Sequence, residues 1–174
     1  MNTTRSLTLN ALLLATLCVA SYINIPIPII AGAITGTTMA MCLIALVRPP
    51  KDTFFIILTY LIIGAIGLPV FAGGGGIAKF MGPAVGYYLS WPLAFPLLSY
   101  IVKRYENVWA KLGLALLITI PIVYGMGAMG LILTIKTPII LAFLGQGVYI
   151  PGDVIKYSIA ALAASRIQRY FPKD

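Results

Sequence analysis

Residues Leu112–Leu133 read LGLALLITIPIVYGMGAMGLIL, an apolar run with no charged residue. A membrane-spanning helix needs roughly 20 predominantly apolar residues, and this run supplies them. It is rich in glycine and holds one proline, Pro121, which predicts a kink. The composition of the whole chain agrees with this stretch. Of 174 residues, 60% are hydrophobic and 9% charged, and the mean hydropathy is +1.00. A soluble domain carries about 25% charged residues. The deficit excludes an ordinary globular protein and predicts one compact membrane unit over residues 1–174.

Five further segments approach spanning length. They are about Leu7–Ile23, Ala31–Val47, the short Thr53–Leu68, Pro83–Val102 with Pro92 and Pro96 inside it, and Gly152–Ile167. The apolar stretch Thr137–Tyr149 is too short to span, and suits a re-entrant or capping loop. The expected fold is therefore an all-α polytopic membrane protein, a bundle of six transmembrane helices. The N-terminal run resembles a signal peptide with Arg5 as its basic flank. It is long for one, however, and lacks a clear small-residue cleavage site, so it reads as the first span.

The formal net charge is +8. Its placement follows the spans rather than a nucleic-acid footprint. With the N-terminus inside, cytoplasmic segments hold Arg5, Arg48, Lys51, Lys103, Arg104, Lys111, Arg166, Arg169 and Lys173, nine of the twelve basic residues. Lys79 and Lys136 fall on the other side, and Lys156 falls inside the sixth span. Such a bias predicts that both termini are cytoplasmic. The outer connections NIPIPIIAG, GLPVFAGGGGIAKFMGP and TIKTPIILAFLGQGVYIPG are long, apolar and rich in Gly and Pro. Irregular apolar backbone at membrane depth persists only where protein buries it or it lines a cavity. The outer half therefore reads as a capped pocket.

The chain contains no His, which removes imidazole triads, metal sites and proton relays. Cys18 and Cys42 sit in apolar runs without metal-ligand spacing and read as small hydrophobes. The run Gly73–Gly76 lacks the G-K-[ST] ending of a phosphate-binding loop, and no nucleotide-binding motif occurs elsewhere. Its glycines suit close backbone approach to a ligand, or a plain flexible turn. Gly32/Gly36, Gly82/Gly86 and Ala11/Ala15 are small residues at i and i+4, a spacing that lets helices approach closely. The glycine pairs suit packing within the bundle. Ala11 and Ala15, on a helix without ligand-like polar groups, could face a partner protein.

Asp153 and Lys156 lie one turn apart in PGDVIK at the opening of the sixth span. Ionisable groups within a span are costly and usually functional. A structural alternative stands beside this. Pro-Gly-Asp is a good helix start, Asp153 could be an N-cap, and Lys156 could neutralise it. A cap, though, needs no lysine one turn deeper. Together the two suit a small polar ligand that offers both N–H and oxygen. Gln146, Tyr149, Tyr87 and Tyr88 could add hydrogen bonds, and Phe71 and Trp91 apolar walls.

The run GAIGLPVFAGGGGIAKFMGPAVGYYLSWPLAFPL, Gly64–Leu97, is similar to the central signature of BioY proteins, and Pro151–Lys156 resembles their Pro-Gly-Asp-x-x-Lys motif. BioY proteins are the biotin-binding S components of energy-coupling factor (ECF) transporters. The resemblance implies a six-helix bundle in a prokaryotic plasma membrane that binds biotin from the outer side, without catalysis, cofactor or metal. It implies as partners a transmembrane coupling protein, docking at Ala11 and Ala15, and two cytoplasmic ATPases. It implies that Asp153 and Lys156 hold polar groups of biotin and that the loop after the third helix closes over it; together with the residues read above, the expected ligand contacts are Asp153, Lys156, Phe71, Gly73, Gly74, Tyr88, Gln146 and Tyr149. Asp153 would accept a ureido N–H, and Lys156 would take either the ureido oxygen or the valerate carboxylate.

Two places depart from the family pattern. PIPIIAGAITG stands where many relatives carry a Pro-Phe-Thr-Leu-Gln-like stretch, and Ala84 stands where the Gly-Pro-Thr-x-Gly-Tyr block has Thr. Competing readings are an S component for another small vitamin and an autonomous facilitator or channel. The channel is disfavoured because polar groups cluster near one end instead of lining several helices.

Overall fold

A computed structural model describes residues 3–27 and 32–170 of the chain. Helix α1 covers Thr3–Ala20 and leads into a hairpin of β1 (Asn24–Ile27) and β2 (Gly32–Thr35). The strands are antiparallel, with Asn24 opposite Thr35 and Ile27 opposite Gly32. Then follow α2 (Thr37–Val47), α3 (Pro50–Ala65), a short 3-10 turn Ile77–Phe80, α4 (Val85–Val102) and α5 (Val108–Ile135). The short α6 (Ile139–Leu144) passes through a 3-10 stretch, Gly145–Tyr149, into α7 (Ile150–Ile167). Val85–Val102, Val108–Ile135 and the helical run Ile139–Ile167 are long and apolar enough to cross a membrane, by length and composition.

Six of these helices overlap the six expected spans, all with boundaries shifted by a few residues, and three of the shifted starts are informative. The expected start of the second span at Ala31 is corrected: helix begins only at Thr37, and Gly32–Thr35 is strand. Proline at 26 has no backbone N–H, and β-branched Ile34 and Thr35 favour extended backbone. Gly36 then lets the chain turn hard against α1, because a Cβ there would lie 2.4 Å from the Ala20 carbonyl oxygen. Helix α3 starts at Pro50 and not Thr53, with the proline in its first turn, where the missing N–H costs nothing. Helix α7 starts at Ile150, so Asp153 lies inside the first turn and is not the N-cap. The part of the first departure at 28–31, and Lys173 and Asp174, lie outside the described residues.

Leu17, Met41, Ile44, Ile57, Phe95 and Leu98 fill the centre of the bundle, with Ala160, Ala161 and Ala164 letting α7 lie close to α2. Helices α4 and α5 run through Pro92, Pro96 and Pro121 unbroken. They are the most closely joined pair. A Cβ on Gly86 would fall 1.9 Å from the Met126 carbonyl oxygen, and one on Gly130 would fall 2.7 Å from the Gly86 nitrogen. Of the expected Gly82/Gly86 pair, then, Gly86 makes the close approach. Gly82 has only ordinary neighbours at 3.9 Å.

The up-and-down order of the helices divides the charges between two ends. The α2–α3 turn, the α4–α5 turn, the start of α1 and the end of α7 share one end. There the Arg5 guanidinium donates to the Tyr170 carbonyl at 3.4 Å. Arg48 is buried, forms an ion pair with Asp52 and donates to Ser6 Oγ at 2.7 Å. Of the basic residues in the described segments, eight belong to this end; only Lys79, Lys136 and Lys156 belong to the other.

Candidate functional site

The end away from those turns contains a cavity of about 390 Å³, within the range of small-molecule sites. Each wall comes from a different element. Thr35, Thr37 and Thr38 come from the hairpin and the start of α2, Tyr60 from α3, and Phe71 and Ala72 from the following loop. Pro83, Ala84, Tyr87, Tyr88 and Trp91 come from the start of α4, and Val123 and Tyr124 from α5. Leu131, Ile135 and Thr137 continue that wall. Gln146 and Tyr149 line it from the turn before α7, and Asp153 and Lys156 from the first turns of α7.

Asp153 and Lys156 meet as an ion pair across one helical turn. Lys156 also donates to Thr38 Oγ1 at 2.8 Å and to the Thr35 carbonyl at 3.4 Å. An ammonium has three N–H groups, and these three acceptors engage all of them. Asp153 receives the Tyr124 hydroxyl on Oδ2 at 2.5 Å, and Thr38 Oγ1 lies 3.5 Å from its other oxygen. A carboxylate has about four acceptor positions, so this one keeps capacity for a further N–H. The inner end of the cavity is thus electrically balanced. It can still accept hydrogen bonds, but its lysine has no donor to spare.

The aromatic wall is built around Phe71, whose ring stacks on Tyr88 with centroids 5.0 Å apart and meets Tyr60 edge-on at 5.2 Å. Tyr88 in turn meets Trp91 edge-on at 5.0 Å. The Phe71 ring rests in a slot over Gly64, where a Cβ would lie 2.0 Å from ring carbon. The loop bearing it is anchored through its carbonyls. Tyr60 donates to Val70 O at 3.0 Å; Ser21, just past the end of α1, donates to the same oxygen, and Tyr22 donates to Pro69 O. Behind Phe71 the chain reverses through Gly73, Gly74 and Gly76, all at positive φ, a conformation that glycine adopts without strain. Trp91 is buried, and its indole N–H has no acceptor among the described residues. A buried donor left unmatched costs stability unless a ligand or water accepts from it.

Of the residues expected at the site, Asp153, Lys156, Phe71, Tyr88, Gln146 and Tyr149 line the cavity, as do Tyr87 and Trp91. Gly73 and Gly74 do not; they form the turn behind Phe71. Tyr87 donates to Gln146 Oε1 at 2.5 Å, and Gln146 donates to the Ala142 carbonyl at 3.0 Å, so both are held in place. Sequence reasoning missed Thr38, Tyr124, Thr37 and Tyr60. Ala11 and Ala15 are exposed on α1, on a stripe with Leu7 and Val19 and away from buried Leu13 and Leu17. Cys42 is buried and Cys18 half-buried, both unpaired. Among the described residues no cluster of His, Cys, Asp and Glu could hold a metal.

A model described as the BioY family matches residues 1–173. A protein from Lactococcus lactis named biotin transporter BioY2 is 45% identical over 96 residues, 55% of this chain and 52% of that protein. Two longer matches cover nearly everything. The biotin transporter BioY of the same organism is 28% identical over 95% of this chain and 91% of its own length. A probable biotin transporter BioY from Pyrococcus horikoshii is 31% identical over 94% and 96%. A crystal structure of the S-component for biotin from an ECF-type ABC transporter superposes with a TM-score of 0.90. That comparison covers 97% of this chain and 95% of the other, at 27% identity.

Proposed function

The chain belongs to the BioY family, and from that premise we propose that it is the biotin-binding specificity subunit, or S component, of an ECF-type vitamin uptake transporter. It takes biotin from the outer side of a prokaryotic plasma membrane. It hands the vitamin inward with a transmembrane coupling protein and two cytoplasmic ATPases. In this reading residues 1–174 form one membrane-embedded unit of six spans with both termini in the cytoplasm. The gathering of basic residues at the end opposite the cavity supports that orientation. The subunit does no chemistry of its own, and ATP is used by its partners.

The observation that carries the reading is the polar inventory of the cavity. A biotin head carries two ureido N–H donors, one carbonyl acceptor and an apolar sulfur ring. Asp153 has acceptor capacity, Trp91 has an unmatched N–H, and Phe71, Tyr88 and Trp91 form an aromatic wall. Gln146 and Tyr149 add polar edges, and Gly73 and Gly74 act by aiming Phe71. Helix α1 offers its Ala11/Ala15 stripe to the coupling protein.

Equilibrium binding of biotin to the purified protein tests this, with Asp153→Asn and Lys156→Met alongside. We expect saturable binding in the unaltered chain. Either change should weaken it by roughly a hundredfold, because removing one member of a buried pair strands the other. A folded protein that does not bind biotin would refute the assignment. A second reading, an S component for a related vitamin, gains support from Ala84, where a family threonine is replaced in the cavity wall itself. A competition series with other vitamins separates the two.

A further inference from the structure

We propose that the α4–α5 turn binds the phosphate headgroup of an anionic membrane lipid, through the Arg104 guanidinium and the Lys103 ammonium, with Tyr100 and Trp109 beside them. The proposal is independent of what the cavity holds. It starts from the exposed face of α4. Leu89, Leu93, Leu97 and Tyr100 are all exposed, and their spacing places them on one stripe along the helix. Helix α4 is long and apolar enough to cross a membrane, so that stripe meets acyl chains. The next step along it, just past the end of the helix, is Arg104. This single face therefore runs from leucines to a tyrosine to an arginine. A lipid runs the same way, from chain to headgroup.

Arg104 does not reach straight out into water. Its guanidinium carbon lies 5.7 Å from the centre of the Tyr100 ring, one turn back along the stripe. Long basic side chains at the end of a span ordinarily reach away from the hydrocarbon, and here the ring holds one back. A guanidinium over a ring is engaged through its face. Its N–H groups lie in its own plane, a fork that matches two phosphate oxygens. Lys103, at the end of α4, is exposed, and neither it nor Arg104 forms an ion pair among the described residues. Glu106, the acid of the same turn, is engaged in an interaction of its own. The adjoining α2–α3 turn is different. Ser99 Oγ ties it to α4 by donating to the Arg48 carbonyl at 2.5 Å, and the buried charge of Arg48 is met by Asp52. The protein neutralises that cation from within and leaves the pair at the α4–α5 turn for an anion from outside.

The far side of the turn carries the second aromatic. Asn107 starts α5 by accepting the Trp109 backbone N–H on its side chain at 2.8 Å, and the indole is 73% exposed. An indole is favoured at headgroup depth, where its ring and its N–H both find partners. One turn further along the same exposed face, a Cβ on Gly113 would meet open space, and exposed Leu117 follows. The two cations thus stand between two exposed apolar stripes, one on each helix. Free phosphate gains nothing from those stripes, whereas a lipid gains from the charges through its headgroup and from the stripes through its chains.

The test uses the indole itself. The chain has two tryptophans, and Trp91 is buried, so lipid-borne quenchers report on Trp109. The protein is reconstituted into phosphatidylcholine bilayers with increasing shares of brominated phosphatidylglycerol or, in parallel, brominated phosphatidylcholine. The two quenching curves give the relative affinity of the site for the two headgroups. We expect the unaltered protein to prefer phosphatidylglycerol by roughly tenfold, and Lys103→Gln with Arg104→Gln to reduce that to less than about twofold. Both side chains are outside the packed core, and circular dichroism checks that the helices persist. Lys79→Gln with Lys136→Gln removes the same charge at the opposite end and should leave the preference as it was. Equal quenching by the two lipids in the unaltered protein would overturn the site. So would a preference that survives in the Lys103/Arg104 variant, or one lost equally in the Lys79/Lys136 variant, which would make it an effect of net charge. A preference abolished by excess inorganic phosphate would make the turn a site for the free anion and overturn the lipid assignment.

Discussion

Trp91 is the residue whose chemistry is least accounted for by the protein itself. Its ring is packed against Tyr88, yet its N–H finds no acceptor. Removing an N–H that bonds to nothing in the protein should not weaken the fold, whereas it should weaken a ligand that supplies the acceptor. Trp91→Phe also trims ring volume from a buried site, so it is expected to lower biotin affinity by roughly five- to tenfold with only a modest fall in melting temperature. Parallel binding and thermal-unfolding measurements check this, and a large drop in melting temperature with unchanged affinity would contradict it. At this scale the sequence revealed Asp153 and Lys156 because charge is so rare in the chain that each instance demands a reason. It hid Thr38 and Tyr124, which complete the same cluster. A lone hydroxyl on an apolar helix looks the same in sequence whether it bonds to its own backbone, as Thr119 does at 2.6 Å, or across the bundle to a carboxylate. Tyr124 left one signal, as the single aromatic residue, with a polar tip, in the run Leu112–Leu133.

Among the elements, glycine decides where backbone or ring may come close. Gly64 receives the Phe71 ring in its slot, and Gly82, though it belongs to a G-x-x-x-G spacing, meets nothing nearer than 3.9 Å. Gly64→Ala should therefore cost about 1–3 kcal/mol of stability by overpacking. It should also weaken biotin binding, since the ring that must move is part of the cavity wall. Gly82→Ala should fall within about 0.5 kcal/mol of the unaltered chain. Denaturation in detergent, followed by ligand titration, separates the two substitutions. Apolar periodicity found every long helix here, because long uncharged runs are the strongest signal a membrane sequence carries. It misjudged Ala31–Val47, where the hairpin replaces the first part of the expected helix. An apolar run reads alike as strand or helix when prolines lie upstream and β-branched residues lie within it. Helix α2, at 11 residues, is only about 16 Å long. The hairpin supplies part of what the helix lacks.

The whole molecule is two-ended, with most of its basic residues and its short turns at one end and the cavity at the other. The exposed stripe Leu7, Ala11, Ala15 and Val19 runs along α1 between them. If the stripe is the docking face proposed above, bulky side chains on it should block the coupling module without touching the cavity. Ala11→Trp with Ala15→Trp is expected to abolish co-purification with the coupling protein and to leave biotin affinity within about twofold, since distant sites act independently. Loss of biotin binding in that variant would contradict the separation of the two surfaces. The bonds from Ser21 and Tyr22 to the Phe71 loop make the binding measurement essential, since they join the end of α1 to the cavity wall. The balance within the Asp153–Lys156 pair has a consequence of a different kind. One elementary charge carried across a membrane works with or against about 2.3 kcal/mol per 100 mV of potential. In the transport role proposed above, a lone lysine at the cavity floor would add its own charge to any movement within the membrane field. With that charge cancelled by Asp153 one turn away, the floor itself adds no electrical work to the delivery of its ligand.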